Sequence, residues 1–416
     1  MAIGDVIVGI DISTSKVCCC LGQINKFNQV EILNSASCEC DGFQKDRYDD
    51  VDAIARAIRF AISDIESNCD FLIKSAYVNI LGKYVEVFNT QYGIELDDKY
   101  AGVSQADVDE IINGVGSIEL PNEYQIIDIV PTRFVTDTKV TMDPIGIFTK
   151  SLSADVDLIL AKKQVVKQIS LIMQKAGLQI DGIIVNGFTM KDLVLDKEEK
   201  QNGVVLLDVG TGNIDISIFK GNGIIYCDSL PIGGDTITKD IAVGLEISLE
   251  EALKLKKQYG LADSDYIDHD YNIKLNTYTG EQEENNIVRC SELVHIISAR
   301  INEVFGIIQG SLKDNNLLDK IRGVVIAGNG FNNINKVDKV AEKVFKVPVR
   351  FGSPKLANLV KPECVNVFGE VKYVSNIKHN KNIGSTIQID DEQSFLDTTL
   401  KTIKKMFGNK KSKVKK

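Results

Sequence analysis

Histidine is scarce in this chain: only His269, His295 and His379 occur among 416 residues. Histidine-built metal centres and histidine-driven acid–base catalysis therefore have little material to work with. No CxxC pair occurs among the nine cysteines, which argues against a zinc knuckle. The odd cysteine count and the run Cys18, Cys19 and Cys20 fit free thiols in a reducing compartment, packed as small core residues in strands. No apolar run approaches the ~20 residues that cross a bilayer. The opening MAIGDVIVGID also lacks a basic region ahead of a long apolar core, so the reading is of a chain neither secreted nor threaded through membrane.

What is present points to a large α/β protein. With 44% hydrophobic and 25% charged residues the composition is that of a globular chain. Its length exceeds one ordinary core, so at least two lobes are expected. Charge is distributed unevenly. Residues 395–416 hold eight lysines against one aspartate, a net +7, which leaves −17 on the rest of a chain whose formal total is −10. An acidic body of this kind repels nucleic-acid phosphates, and an anionic partner is expected at the tail alone.

Two segments repeat one small unit: GIDISTSKVCCCLG at 9–22 and LLDVGTGNIDISIF at 206–219. Each reads as an apolar strand ending in an acid, a tight turn of Gly, Ser, Thr or Asn, and a second apolar strand. Such turns aim backbone N–H groups and hydroxyls at a phosphate, while the strand-end acid holds a magnesium shell. Either unit alone reads equally as a common hairpin. Together they suggest a nucleotide gripped from two sides.

Around these units the chain alternates helix and strand. Helical spacing marks 49–68, 104–114 behind an N-cap at Ser104, 163–176 closed by Gly177, 235–245, 248–259 and 290–312. Strand patterns mark 76–81, 84–89, 123–160, the run IDGIIV and 321–327. Residues 264–280 read as an exposed hairpin or loop, and 380–394 as a polar linker. Strand clusters interrupted by helices, with a duplicated phosphate-type turn, predict two α/β lobes about a nucleotide cleft.

The order GIDISTSKV, DVGTGNIDIS, PIGGD and VVIAGNG resembles the superfamily of actin, sugar kinases and heat-shock chaperone ATPases. Within it, QIIDIVPTRFVTDTKVTMDPIGIFTKSLSADVDLIL at 125–160, PIGGDTITKDIAVGL at 231–245 and LEEALKLKKQYG at 249–260 are similar to FtsA, a family of actin-like bacterial division proteins. The resemblance runs nearly end to end. It implies a two-lobed actin-like ATPase fold with an inserted 1C (SHS2-like) subdomain. The implied division is 1–82 (1A), 83–160 (1C), 161–196 (1A continued), 197–232 (2A), 233–310 (2B) and 311–379 (2A continued). A linker at 380–394 and a basic amphipathic helix at 395–416 complete it.

The resemblance also implies ATP and magnesium as cofactors. Ser13, Thr14, Ser15 and Lys16 would hold the β- and γ-phosphates, with Asp11 outside a hydrated magnesium. Gly210, Thr211, Gly212 and Asn213 would face them, with Asp208 and Asp215 as further acids and Asp208 also reaching the metal through water. Gly233 and Gly234 would let backbone approach the phosphates. Glu251 and Lys254 would meet the adenosine, although spacing alone reads them as a solvated i, i+3 ion pair. Gly328, Asn329 and Gly330 would lie beneath the adenine, with Asn329 in place of the usual glycine. At Asn186, Gly187 and Phe188 the sequence departs from hydrolysing relatives, which place Glu or Gln and then Pro there. Weak or negligible turnover is expected in consequence.

On a helical wheel Phe395, Leu396, Thr399, Leu400, Ile403, Met406 and Phe407 fall within roughly 140°, with Lys401, Lys404 and Lys405 opposite. This is the pattern of an interfacial helix on anionic lipid; docking on a protein groove is the alternative. The family ends in such a helix. The resemblance implies a peripheral protein at the cytoplasmic face of the membrane, at the division septum. Its partners would be the C-terminal peptide of the tubulin-like ring protein FtsZ, bound near Arg300, further copies of the chain in an actin-like filament, and other divisome proteins. Arg300 reads equally as a helix arginine in an ion pair. Two rivals are a PilM-like pilus assembly platform and a sugar-kinase-type phosphotransferase. The latter's one candidate base, Asp235, reads better as the cap of a helix starting at Thr236.

Overall fold

A computed structural model describes residues 6–27, 29–44, 46–69, 72–96, 102–275, 287–354 and 364–379. The polar segment 380–394 and the amphipathic segment 395–416 lie outside the described residues. So do the outer part of the 264–280 segment and the stretch 355–363.

The first lobe begins with three antiparallel strands: β1 (Val6–Ile12), β2 (Lys16–Ile24) and β3 (Val30–Glu39). Helix α1 (Val51–Ser67) then returns the chain to β4 (Ser75–Ile80), parallel to β1. Asp50 caps α1 by accepting the Ala53 N–H at 2.8 Å, and Ile54, Ile58, Ile62 and Ile65 bury its apolar stripe. An insertion follows: β5 (Val85–Glu95), α2 (Gln105–Gly116), β6 (Tyr124–Thr136), β7 (Val140–Thr141) and β8 (Ser151–Lys162). Its sheet runs β5-β8-β6-β7 over a core of its own, built from α2 and inward residues such as Ile129, Leu152 and Leu158. Ser104 caps α2 in a reciprocal exchange with Asp107, as its spacing predicts. The chain re-enters the first lobe through α3 (Lys163–Lys175) and β9 (Gln179–Val185) and crosses on α4 (Asn186–Val194). The completed sheet reads β9-β4-β1-β2-β3.

The second lobe repeats that plan. Antiparallel β10 (Val204–Val209), β11 (Ile214–Lys220) and β12 (Gly223–Leu230) precede α5 (Gly234–Gly244) and α6 (Leu249–Tyr259). The short pair β13 (Asn272–Lys274) and β14 (Ile287–Arg289) leads into α7 (Cys290–Asp314), then β15 (Gly323–Ala327), α8 (Val337–Phe345) and β16 (Val349–Phe351). The sheet order β12-β11-β10-β15-β16 has the same three antiparallel and two parallel strands as the first. The final helix, α9 (Val365–His379), packs back on β1, β2 and α4 of the first lobe. The first lobe's apolar core continues onto one face of the second sheet at Val204, Leu206, Phe219 and Val325, while α5, α6, α7 and α8 cover the other face in a core of their own.

One sequence expectation needs correction. Helix α5 starts at Gly234, not Thr236, and Gly233 is its cap residue. Thr236 Oγ1 accepts the Gly233 N–H at 3.4 Å, while the Asp235 N–H donates to Thr211 O at 2.8 Å, so Asp235 does not cap the helix. A run of two glycines lets the helix begin early, pressed against the second turn.

Candidate functional site

The duplicated strand–turn–strand units place their turns at equivalent points. In β1–β2 the register pairs Asp11 with Cys18; in β10–β11 it pairs Asp208 with Asp215. Each turn closes with the same bond: Ser13 N–H to Lys16 O at 3.0 Å, and Gly210 N–H to Asn213 O at 2.8 Å. The turns meet at their tips, where a Cβ on Gly212 would lie 2.4 Å from Thr14 Cγ2. Between the lobes they border a cleft of about 750 Å³.

Asp11, Ser13, Thr14, Lys16, Asp208, Gly210, Thr211, Asn213, Asp215, Gly328 and Asn329 line that cleft. Ser15, Gly212, Gly233, Gly234, Gly330, Glu251 and Lys254 are not among its lining. The glycines instead let backbone pack on backbone. A Cβ at Gly233 would strike Thr211 O at 2.4 Å, and one at Gly234 would strike Gly330 O at 2.6 Å. Glu251 is buried in its helix, and Lys254 pairs more closely with Glu250 (2.8 Å) than with Glu251 (3.8 Å). Arg300 spends its guanidinium inside the second lobe. Nε and Nη2 hold Asp240 at 2.6 and 2.9 Å, and Nη1 holds Glu303 at 2.7 Å, so the ion-pair reading describes it in this structure.

The three cleft acids are almost without solvent, at 5% exposure for Asp11, 7% for Asp208 and 4% for Asp215. Burial pushes their carboxyls up, to about 7 for Asp11, about 6 for Asp208 and about 8 for Asp215. Repulsion from Asp208 adds to the shift of Asp11 and Asp215. Asparagines bridge them. The Asn79 amide accepts the Ile12 N–H (2.8 Å) and donates to Asp11 Oδ1 (2.6 Å) and Asn186 Oδ1 (2.9 Å). Asn186 Nδ2 donates to Asp215 Oδ2 at 2.7 Å, and Asn366 Nδ2 on α9 donates to Asp208 Oδ2 at 3.0 Å. A chain of amides thus runs from Asp11 in one lobe to Asp215 in the other.

Chemically, this site offers a charge deficit and an anion cradle. Three acids crowd a low-dielectric cleft with Lys16 as the cation that opposes the shift of Asp11, and a divalent cation would restore their charge. Among the described residues no three His, Cys, Asp or Glu side chains converge as direct metal ligands. Thr14 Oγ1 is buried without a hydrogen-bond partner among the described residues, at the mouth of the first turn, and phosphate oxygens would satisfy it. The group facing the cleft at the end of β9 is Asn186, an amide that cannot take up a proton at neutral pH. Gly187 behind it has no room for a side chain: a Cβ would lie 2.1 Å from Ser217 Oγ.

Asn79 and Asn366 did not stand out in the sequence. Asn79 carried one available signal, a lone amide inside the apolar strand SAYVNI. Asn366 carried none, since its helix follows 14 residues after β16 and nothing local ties it to Asp208.

Comparison with known proteins follows the same architecture. The family model "Cell division protein FtsA" matches residues 205–369, and "SHS2 domain inserted in FTSA" matches residues 82–160. A model for the type IV pilus assembly protein PilM matches residues 135–270. The chain is 30% identical over 349 residues to cell division protein FtsA of Neisseria meningitidis serogroup B, covering 83% of each. To FtsA of Bacillus subtilis it is 26% identical over 367 residues, covering 88% of this chain and 82% of that one. Among solved structures, the PilM–PilN type IV pilus biogenesis complex superimposes with a TM-score of 0.56 at 14% identity, covering 88% of this chain and 97% of that one. MreB5 of Spiroplasma citri bound to ADP gives 0.55 at 12% identity, covering 91% and 99%. These structures share the two-lobed actin-like fold. Sequence similarity along five-sixths of the chain, an SHS2 insertion between β4 and α3, and the duplicated actin-like lobes together show that this chain belongs to the FtsA family of cell division proteins.

Proposed function

We propose that the chain is a nucleotide-gated membrane tether of the division machinery: its body binds magnesium–ATP, and its basic tail holds an FtsZ ring to the cytoplasmic membrane at the septum. The observation that carries the nucleotide half is the pair of facing turns with three buried, mutually repelling acids behind them. Ser13, Thr14 and Lys16 hold one side of the polyphosphate and Gly210, Thr211 and Asn213 the other. Asp11, Asp208 and Asp215 hold the water shell of the metal. Magnesium supplies charge neutralisation when bound; the amides of Asn79 and Asn186 orient the acids that receive it. MreB5 of Spiroplasma citri has been solved with both ADP and AMPPNP, which supports placing a nucleotide in this fold's cleft.

Hydrolysis is slow in this reading. Asn186 can orient a water but cannot accept its proton, and loss of a general base costs on the order of 10²- to 10⁴-fold. The nucleotide then serves as a ligand that stabilises the closed lobes through its higher affinity for them. The phosphotransferase alternative loses support, because Asp235 is not among the residues lining the cleft.

The tethering half rests on the sequence of 395–416, on FtsA family membership and on the absence of any membrane-crossing helix among the described residues. Lysines on one side and phenylalanines on the other give reversible anchoring to anionic lipid. The FtsZ peptide would dock in the 2B segment near Arg300, where an acidic ligand would have to compete with Asp240 and Glu303. Self-association would proceed through the inserted 1C subdomain.

Isothermal titration with ATP and magnesium tests the cleft. Micromolar or tighter binding that disappears in Asp11→Asn and Gly210→Trp supports the assignment. Binding unaffected by both substitutions overturns it.

A further inference from the structure

We propose that Cys18 and Cys364 are an oxidisable thiol pair, which a peroxide joins as an intramolecular disulfide that staples the start of α9 to strand β2 beside the cleft. Strand alternation supplies the first argument. Cys18 and Cys20 pair across β1–β2 with Asp11 and Gly9, so their side chains share one face of the sheet while Cys19 points to the other. Helix α9 lies on the Cys18 face, where a Cβ on Gly9 would meet Glu370 Oε2, Val367 Cγ2 and Val371 Cγ2, each at 3.1 Å. Register supplies the second. Glu370 sits over Gly9 and so beside Cys20; six residues earlier, ~9 Å back along the helix, comes Cys364. Two strand residues from Cys20, ~7 Å along β2, comes Cys18. The helix start therefore falls over Cys18, where the neighbouring Cys364 thiol pushes the Cys18 thiol up.

Access is the third argument. Both thiols are fully buried, and burial keeps such thiols protonated and inert while α9 is seated. The seat is imperfect. Glu370 is itself fully buried, neither of its oxygens has a hydrogen-bond partner among the described residues, and burial pushes its carboxyl up. An unpaired carboxyl under a helix favours local opening, because only the open state solvates it. In the open state one thiolate attacks peroxide; the O–O bond breaks, water leaves, and a sulfenic acid forms. The second thiol then attacks the sulfenic sulfur and releases a second water, so two thiols and one peroxide give one disulfide and two waters. The bond would hold the helix turn that carries Asn366, whose amide meets Asp208.

The test uses full-length protein treated with hydrogen peroxide and digested with trypsin without reduction. Peptide 17–26 carries Cys18, Cys19 and Cys20, and peptide 356–372 carries only Cys364. The expected product links these two peptides within one chain. Tandem fragmentation of the wild-type product assigns the bond to Cys18. The link is lost in Cys18→Ser and Cys364→Ser, kept in Cys20→Ser and reversed by dithiothreitol. Amide exchange over residues 364–372 should slow at least tenfold on oxidation. Absence of the linked peptide, a link assigned to Cys19 or Cys20, disulfides only between chains, or unchanged exchange would each overturn the proposal.

Discussion

Asn186 touches both lobes from the cleft, accepting from Asn79 and donating to Asp215. Truncating it to alanine leaves Asp215 with less support while still buried. Leaving a buried acceptor without its donor costs about 1–3 kcal/mol. Urea unfolding of N186A should show a lower midpoint with an unchanged slope, and a shift of the midpoint upward would contradict the bridge. The buried acids also set a pH dependence. Asp11, Asp208 and Asp215 hold their protons to about 7, 6 and 8 in the folded state, against 3.8 when unconstrained. Across that window the folded chain binds more protons than the unfolded one. This contribution to stability is therefore complete below pH ~4 and is lost as the pH rises through the folded values. The melting temperature of metal-free protein should fall from pH 5 to 8.5, more shallowly in D215N. A melting temperature that rises across this range would refute the assignment.

At residue scale, the acids and turn residues were legible because the fold uses them twice at one spacing, Asp11 and Asp208 each seven residues before their cross-strand partners. The asparagine bridge was not legible. It joins residues 29 to 158 positions apart, and amides leave no periodic trace.

Among elements, α9 depends on a helix crossing too close for any side chain. A Cβ on Gly369 would lie 1.9 Å from Thr189 O on α4, so Gly369→Ala must push the two helices apart. Overpacking of this kind costs about 1–3 kcal/mol. Because Asn366 lies one turn earlier, the same substitution should also weaken magnesium–ATP binding several-fold; calorimetry showing full affinity alongside reduced stability would separate α9 from the cleft. A second junction ties the insertion to the other lobe. Asp157 on β8, nearly buried, accepts Asn89 Nδ2 at 2.6 Å and the Ile224 N–H of β12 at 2.9 Å. Gly223 leaves the space for it, since a Cβ there would sit 2.2 Å from Asp157 Oδ2. The helices and long strands of these elements were readable from period and caps, with Ser104 the plainest case. The start of α5 was missed because Asp235 has the right chemistry for a cap, yet tertiary packing of Gly233 and Gly234 on the second turn decides where the helix begins.

For the whole molecule, the governing asymmetry is electrostatic: a body of net −17 and a tail of net +7. An anionic vesicle repels the first and attracts the second, so the tail must carry any membrane binding, and it must do so against the body. Each lysine near such a surface contributes about 1 kcal/mol, and the attraction decays within a Debye length of about 8 Å at physiological salt. Full-length protein should therefore pellet with phosphatidylglycerol-rich vesicles and hardly at all with neutral ones. Removing residues 395–416 should abolish pelleting, and raising salt from 0.1 to 0.5 M should weaken it several-fold without eliminating it, because the apolar face is insensitive to screening. A peptide from the FtsZ C-terminus should enter the pellet only with the full-length chain. Truncated protein that still pellets would transfer membrane binding to the acidic body, which its charge opposes, and the tether reading would fall.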